Sequence, residues 1–148
     1  MRLSTSYRDL APDLYQAQLG LWKQTRAAGL DPRLLDLLDL RVSQINGCAY
    51  CMDMHAADLA KAGETPRRLA VLAGWRDTDL FMPAERAALA WAEALTELPS
   101  RPELDPAFQA LKAHFDERQV VALTFAIVSI NGWNRLGVGF RLDLPEDA

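Results

Sequence analysis

Two short strings, "AAGLDP" (27–32) and "KAGETP" (61–66), restrict the fold of this chain more than any other feature. Each sets a glycine at the end of an apolar-periodic segment and then, two residues on, a capping residue followed by proline. The pairs are Gly29 with Asp31-Pro32 and Gly63 with Thr65-Pro66. Glycine accepts the left-handed backbone that ends a helix, and proline loses nothing at the first helical position. Asp105-Pro106 offers a third start. Between these marks the apolar spacing is helical: Tyr15, Leu19 and Trp22 form one stripe, and Ala88, Trp91 (or Ala92), Leu95 and Leu98 another. No segment alternates with a period of two between turn residues. The prediction is all-α, about seven helices near 12–28, 32–46, 49–62, 66–73, 84–98, 106–114 and 117–138.

A length of 148 residues suits one domain over 1–148, with enough chain to bury a core. The proline-rich connection at 98–106 leaves neither side large enough to be a domain alone. A net charge of -4, with Lys and Arg scattered, argues against nucleic acid as a partner. The start, "MRLSTSYRDLAP", has no apolar core for a signal peptide. The longest apolar run, "VVALTFAIVSI" (120–130), is too short to span a bilayer. A cytoplasmic protein away from membranes is expected, and there a close cysteine pair is more often catalytic, redox-active or metal-binding than a staple.

That pair lies in "INGCAYCMDMH" (45–55), which holds both cysteines and one of the two histidines of the chain. Ile45-Asn46-Gly47 breaks the preceding helix, so a central helix begins near Cys48. A thiol at a helix N-terminus meets free N–H groups and the positive end of the helix dipole. Such a site, or a nearby imidazolium, lowers a thiol pKa from about 8.5 into roughly 3.5–7.5. Spacings of three and four place Cys48, Cys51 and His55 on one face in successive turns. The helix terminus favours Cys48 as the thiolate, whereas the i,i+4 imidazole favours Cys51. Either sulfur can resolve an oxidised partner into an intramolecular disulfide. A metal or scaffold module is the competing reading, with Cys48, Cys51 and His55 as three ligands. A closed zinc site wants four, and His114 is far away in sequence. Haem attachment would need histidine where Met52 stands, and a thioredoxin fold would need strands.

The stretch "LLDLLDLRVSQINGCAYCMDMHAADLAKAGE" (34–64) closely resembles the core of the alkylhydroperoxidase D family, within the carboxymuconolactone decarboxylase-like superfamily. The resemblance continues through "ERAALAWAEALTEL" (85–98) and "LTFAIVSINGWNRLGVGFR" (123–141), so it covers most of the chain. A C-x-x-C alone is a weak motif; inside this whole segment it is specific. The resemblance implies an all-helical fold, assembly as a homo-oligomer (trimer or hexamer), and a dithiol that reduces hydroperoxides with no metal or organic cofactor. It also implies that Cys51 is oxidised by peroxide, that Cys48 resolves it, and that an external dithiol, lipoyl-type or a protein thiol, restores both. A disulfide reductase recycling a peroxiredoxin-type partner keeps the thiol chemistry without the peroxide. In the family, the histidine at position 55 belongs to a proton relay ending in a glutamate twelve residues before the first cysteine; this chain has Asp36 there. Aspartate is one methylene shorter, and a hydrogen-bonded relay is sensitive to that distance. Asp39, in the same helix, is expected off that face. Tyr50 stands where the founding enzyme type carries a second histidine.

Other residues have simpler readings. His114 suits a helix C-terminus, and Asp53 partners the helix dipole. The tryptophans at 22, 75, 91 and 133 read as core or subunit contacts. Arg41 is placed to pair with a carboxylate or the thiolate. Ile45-Asn46-Gly47-Cys48 recurs as Ile130-Asn131-Gly132-Trp133, each copy read as closing an apolar helical run. The echo suggests an old helix-pair duplication and puts Trp133 and Asn134 near the pocket.

Overall fold

A computed structural model describes residues 1–98 and 104–144. These residues form α1 (Tyr7–Leu10), α2 (Pro12–Arg26), α3 (Pro32–Asn46), α4 (Ala49–Lys61), α5 (Pro66–Val71), a 3-10 turn (Leu72–Asp77), α6 (Pro83–Thr96), α7 (Leu104–Lys112) and α8 (Glu117–Phe140). There is no strand among the described residues. The stops and starts expected at Gly29, Gly63, Asp31-Pro32 and Thr65-Pro66 operate as physics requires, whereas Asp105-Pro106 lies inside α7. Gly29 and Gly63 each take φ 86°, the left-handed region that a Cβ disfavours. Asp31 accepts from the Arg33 N–H and Thr65 from the Arg68 N–H, caps worth about 1 kcal/mol each. Asp116 and Gln119 cap α8 reciprocally.

α3 is the centre of the fold. Leu34, Leu35, Leu37, Leu38, Leu40 and Val42 are buried around nearly its whole circumference, as a helix enclosed on several sides must be. It packs on α4, α6 and α8, while α2 lies along α8 and α7 along α6. Leu59, Leu72, Leu89, Leu111, Leu123 and Ile127 complete the core. Each fully buried leucine contributes roughly 1.5–3 kcal/mol. At the α3–α6 contact, Arg41 donates to Glu93 at 2.6 Å, and Trp75 Nε1 donates to the same oxygen at 2.9 Å. Of the two pairings open to Arg41, the carboxylate is the one formed.

The structure departs from expectation in three further places. α1, too short to show a period, is held by Ser6 and by Tyr7 stacked on Phe140 at 5.2 Å. The helix expected at 66–73 stops at Val71 and tightens into the 3-10 turn, with Gly74 breaking helical geometry inside it. The second "ING" ends nothing: α8 runs through it to Phe140, and Arg141 (φ 51°) supplies the stop. Gly132 instead lets Gln18 approach, since a Cβ there would lie 2.9 Å from Gln18 Nε2. The echo is therefore not a repeated terminus. Of the 98–106 connection, residues 99–103 lie outside the described residues. No helix among the described residues is long and apolar enough to cross a membrane.

Candidate active site

The turn between α3 and α4 carries the cysteines. Gly47 closes α3 at φ 68° and Cys48 caps α4, its Sγ accepting from the Cys51 N–H at 3.3 Å. Cys48 and Cys51 are joined as a disulfide. Side-chain amides hold the turn against α8. Asn46 Nδ2 donates to Asn131 Oδ1 and Asn134 Oδ1, each at 3.0 Å, and buried Asn134 donates to Ser43 Oγ at 2.9 Å. Asn134 therefore positions the turn and does not line the pocket. Satisfied amides in a low-dielectric core fix geometry because each lost bond leaves a buried polar atom unsatisfied.

The two sulfurs face different surroundings. Cys51 lines a cavity of about 190 Å³, together with His55, Trp22, Tyr50 and Trp133. Cys48 is 1% exposed and turns toward α8. There Gly137 meets it: a Cβ at this position would lie 2.6 Å from Cys48 Sγ and 3.4 Å from Cys51 Sγ. Alanine is the better helix former by about 1 kcal/mol, so an uncrowded Gly137→Ala would stabilise the protein. Overpacking against a tethered sulfur costs about 1–3 kcal/mol and reverses the sign. Gly139, where an added Cβ would meet nothing within 4 Å, is the internal control. Denaturant titration of the oxidised proteins is expected to show Gly137→Ala less stable than wild type and Gly139→Ala no less stable; equal behaviour of the two would remove the close-approach role of Gly137.

His55 is 2% exposed and projects from α4 toward α3. Its Nδ1 lies 3.8 Å from Asp36 Oδ1 and its Nε2 3.8 Å from Asp39 Oδ2. Neither is a direct hydrogen bond, so proton transfer needs closure to about 3 Å or a bridging water. Asp39 is thus on the His55 side of α3, not off that face: Asp36 and Asp39 are one turn apart and flank the same imidazole. Arg26 of α2 binds both carboxylates, Asp36 at 2.9 Å and Asp39 in a short contact. Burial pushes the Asp39 pKa up to about 6, opposed by the charges of His55 and Arg26. Asp36, Asp39 and His55 offer ligand atoms within 4.8 Å of one another, a different trio from Cys48, Cys51 and His55. The Arg26 guanidinium already occupies the cationic position between their carboxylates.

A carboxymuconolactone decarboxylase family model matches residues 12–94, a segment that contains both cysteines, His55, Asp36, Asp39 and Arg26. The chain belongs to that family. YdfG of Bacillus subtilis (strain 168) is 37% identical over 138 residues, covering 93% of this chain and 94% of YdfG. A solved protein of unknown function from Agrobacterium tumefaciens, for which an AhpD antioxidant defence role has been suggested, superposes with a TM-score of 0.92 at 36% identity, covering 99% of each chain. The alkylhydroperoxidase AhpD core of a peroxidase-related protein from Ralstonia eutropha JMP134 shares the fold, with a TM-score of 0.82 at 20% identity over 95% of this chain and 75% of that one. The expected all-α AhpD-like fold, with its cysteine pair at a helix start, is the one observed.

Sequence reading gives no sign of Arg26, Gly137 or the tyrosines and Trp22 of the aromatic wall, and it places Asp39 on the wrong face. Asp39 left a signal: Leu35, Leu38, Asp39 and Val42 share one apolar stripe, and Asp39 is its charged member. Trp75 and Trp91 are buried core residues as expected, and Trp133 lines the cavity as the second "ING" suggested; Trp22 lines it as well, where a core or subunit contact was expected. His114 is exposed after the end of α7, away from the cavity-lining residues.

Proposed function

We propose that the chain is a dithiol-dependent peroxidase that reduces organic hydroperoxides. The observation that carries this reading is the asymmetry of the pair: Cys51 lines the cavity beside His55, and Cys48 lies behind it. This supports Cys51 as the attacking sulfur on grounds independent of any relative.

An external dithiol first reduces the disulfide, leaving two protein thiols and an oxidised reductant. His55 takes the Cys51 proton, and Asp36 and Asp39 stabilise the imidazolium. The Cys51 thiolate attacks the terminal oxygen of ROOH; the O–O bond breaks and the His55 proton goes to the leaving alkoxide, giving ROH and a sulfenic acid on Cys51. The Cys48 thiolate, stabilised at the start of α4 by the Cys51 N–H, attacks that sulfur. The hydroxyl leaves as water with a proton, and the disulfide re-forms. The balance is ROOH plus a dithiol to ROH, water and a disulfide.

The reductant is a lipoyl-type or protein dithiol, the setting is the cytoplasm, and the working form is a homo-oligomer. For the last, Val121, Phe125 and Val128 support the reading: they form an i, i+4, i+7 apolar stripe on α8, each more than half exposed.

The test is cumene hydroperoxide consumption driven by dihydrolipoamide, with one cumyl alcohol formed per disulfide of lipoamide. Turnover that stops after iodoacetamide treatment of the reduced protein supports the reading. No consumption above buffer, with the disulfide still reduced by dihydrolipoamide, would favour disulfide exchange with a protein partner instead.

A further inference from the structure

The cavity in front of Cys51 is built for more than the O–O bond. Five of its lining residues are aromatic, Tyr7, Tyr15, Trp22, Tyr50 and Trp133, drawn from α1, α2, α4 and α8. Tyr15 bridges two of them edge-on, 6.1 Å from the Tyr7 ring and 5.8 Å from the Trp133 ring. Rings arranged this way offer faces and edges to another ring, each such contact worth about 0.5–1.5 kcal/mol. The volume of about 190 Å³ exceeds the roughly 150 Å³ that accepts benzene in an engineered cavity, which leaves room for one ring and a small branch. Hydrogen peroxide would use none of this wall.

One permanent charge completes the lining. Arg8 places its guanidinium 5.2 Å from the Tyr15 ring centroid and 5.9 Å from that of Tyr7. Arg26, Arg41, Arg68 and Arg76 each hold a carboxylate; Arg8 makes no ion pair among the described residues. No carboxylate lines the cavity either. It sits exposed at the edge of the cavity, hydrogen-bonded to the Tyr7 and Tyr50 side chains, and no carboxylate among the described residues pairs with it.

We propose that the cavity takes a single-ring aromatic carboxylate, its carboxylate on Arg8, its ring between the tyrosine and tryptophan walls, and its opposite end toward Cys51. As a substrate such a molecule carries the hydroperoxide on that opposite end. This substrate class rests on Cys51 as the reacting sulfur; the binding it requires does not depend on turnover.

The probes are 4-isopropylbenzoate and its uncharged counterpart 4-isopropylbenzamide, titrated into the disulfide form by calorimetry, with Trp22 and Trp133 fluorescence as a second readout. The benzoate is expected to bind about tenfold tighter than the amide. Arg8→Gln is expected to abolish that preference while leaving amide binding unchanged, and Arg8→Lys to restore part of it. Arg8 is exposed and lies in a four-residue helix, so an unchanged Tm checks that the fold is intact. Equal affinity for both probes, or a preference that survives in Arg8→Gln, overturns the carboxylate assignment. No binding of either probe at millimolar concentration overturns the aromatic class as well. A protein that binds the benzoate through Arg8 yet consumes no peroxide refutes the peroxidase reading and leaves the ligand class standing.

Discussion

Cys51→Ser is expected to lose all dithiol-driven peroxide consumption, down to the buffer rate. Serine keeps the shape of the side chain but has no thiolate, so the O–O bond meets no nucleophile. Cys48→Ser is expected to behave differently. Cys51 is still at the cavity and takes up one oxygen, after which no neighbouring sulfur expels water. The result is one equivalent of alcohol and then a stall, with the sulfenic acid visible by mass or by dimedone capture. The fold should survive in both variants, because Gly47, Asn46 and Asn134 hold the turn. If Cys48→Ser protected Cys51 from oxidation, the assignment of the two sulfurs would be reversed.

The largest effect on stability is expected at Arg26. Arg26→Met keeps an unbranched apolar stem beside Trp22, whose ring the guanidinium now covers at 5.2 Å, but leaves Asp36 and Asp39 facing each other without a cation. Breaking a buried pair by removing one partner costs on the order of 3 kcal/mol. The loss should depend on pH in a definite direction. In the wild type, burial raises the Asp39 pKa from 3.8 to about 6. Its protonated form is therefore favoured by folding; the associated stability is full below the unfolded value and is lost as pH rises through about 6. Without Arg26 an opposing charge disappears, so the Asp39 pKa moves higher still. Denaturant titrations at pH 5 and 7 should show the Arg26→Met penalty larger at pH 7, and Asp39→Asn added to Arg26→Met should recover most of it. A penalty that did not vary with pH would place the role of Arg26 in packing rather than in charge.

What was legible in the sequence was local. Gly29, Gly47, Asp31-Pro32 and Thr65-Pro66 act through their own backbone, so their marks show without knowledge of any other helix. Cys48 and Cys51 sit at the start of one helix, and the spacing of Cys51 and His55 puts both on the face that lines the cavity. Gly132 resisted this kind of reading because a glycine that ends a helix and one that admits Gln18 are spelled alike. The reach of Arg26 into α3, the press of Gly137 on Cys48 and the aromatic wall are contacts between distant segments. Periodicity within one helix does not encode them. Asp39 lies between the two cases, marked as out of place in its own stripe but explained only by α2 and α4.

In the proposed cycle, the burial of Cys48 behind Cys51 also fixes an order of events. With only Cys51 of the two sulfurs lining the cavity, that cycle has the oxidant and the reductant both reacting at Cys51, and through the same mouth. They take turns, so the kinetics should be ping-pong, and an excess of either reactant should hinder the other. A reductant must then be slender enough to pass the aromatic walls, or present its thiol on an extended arm.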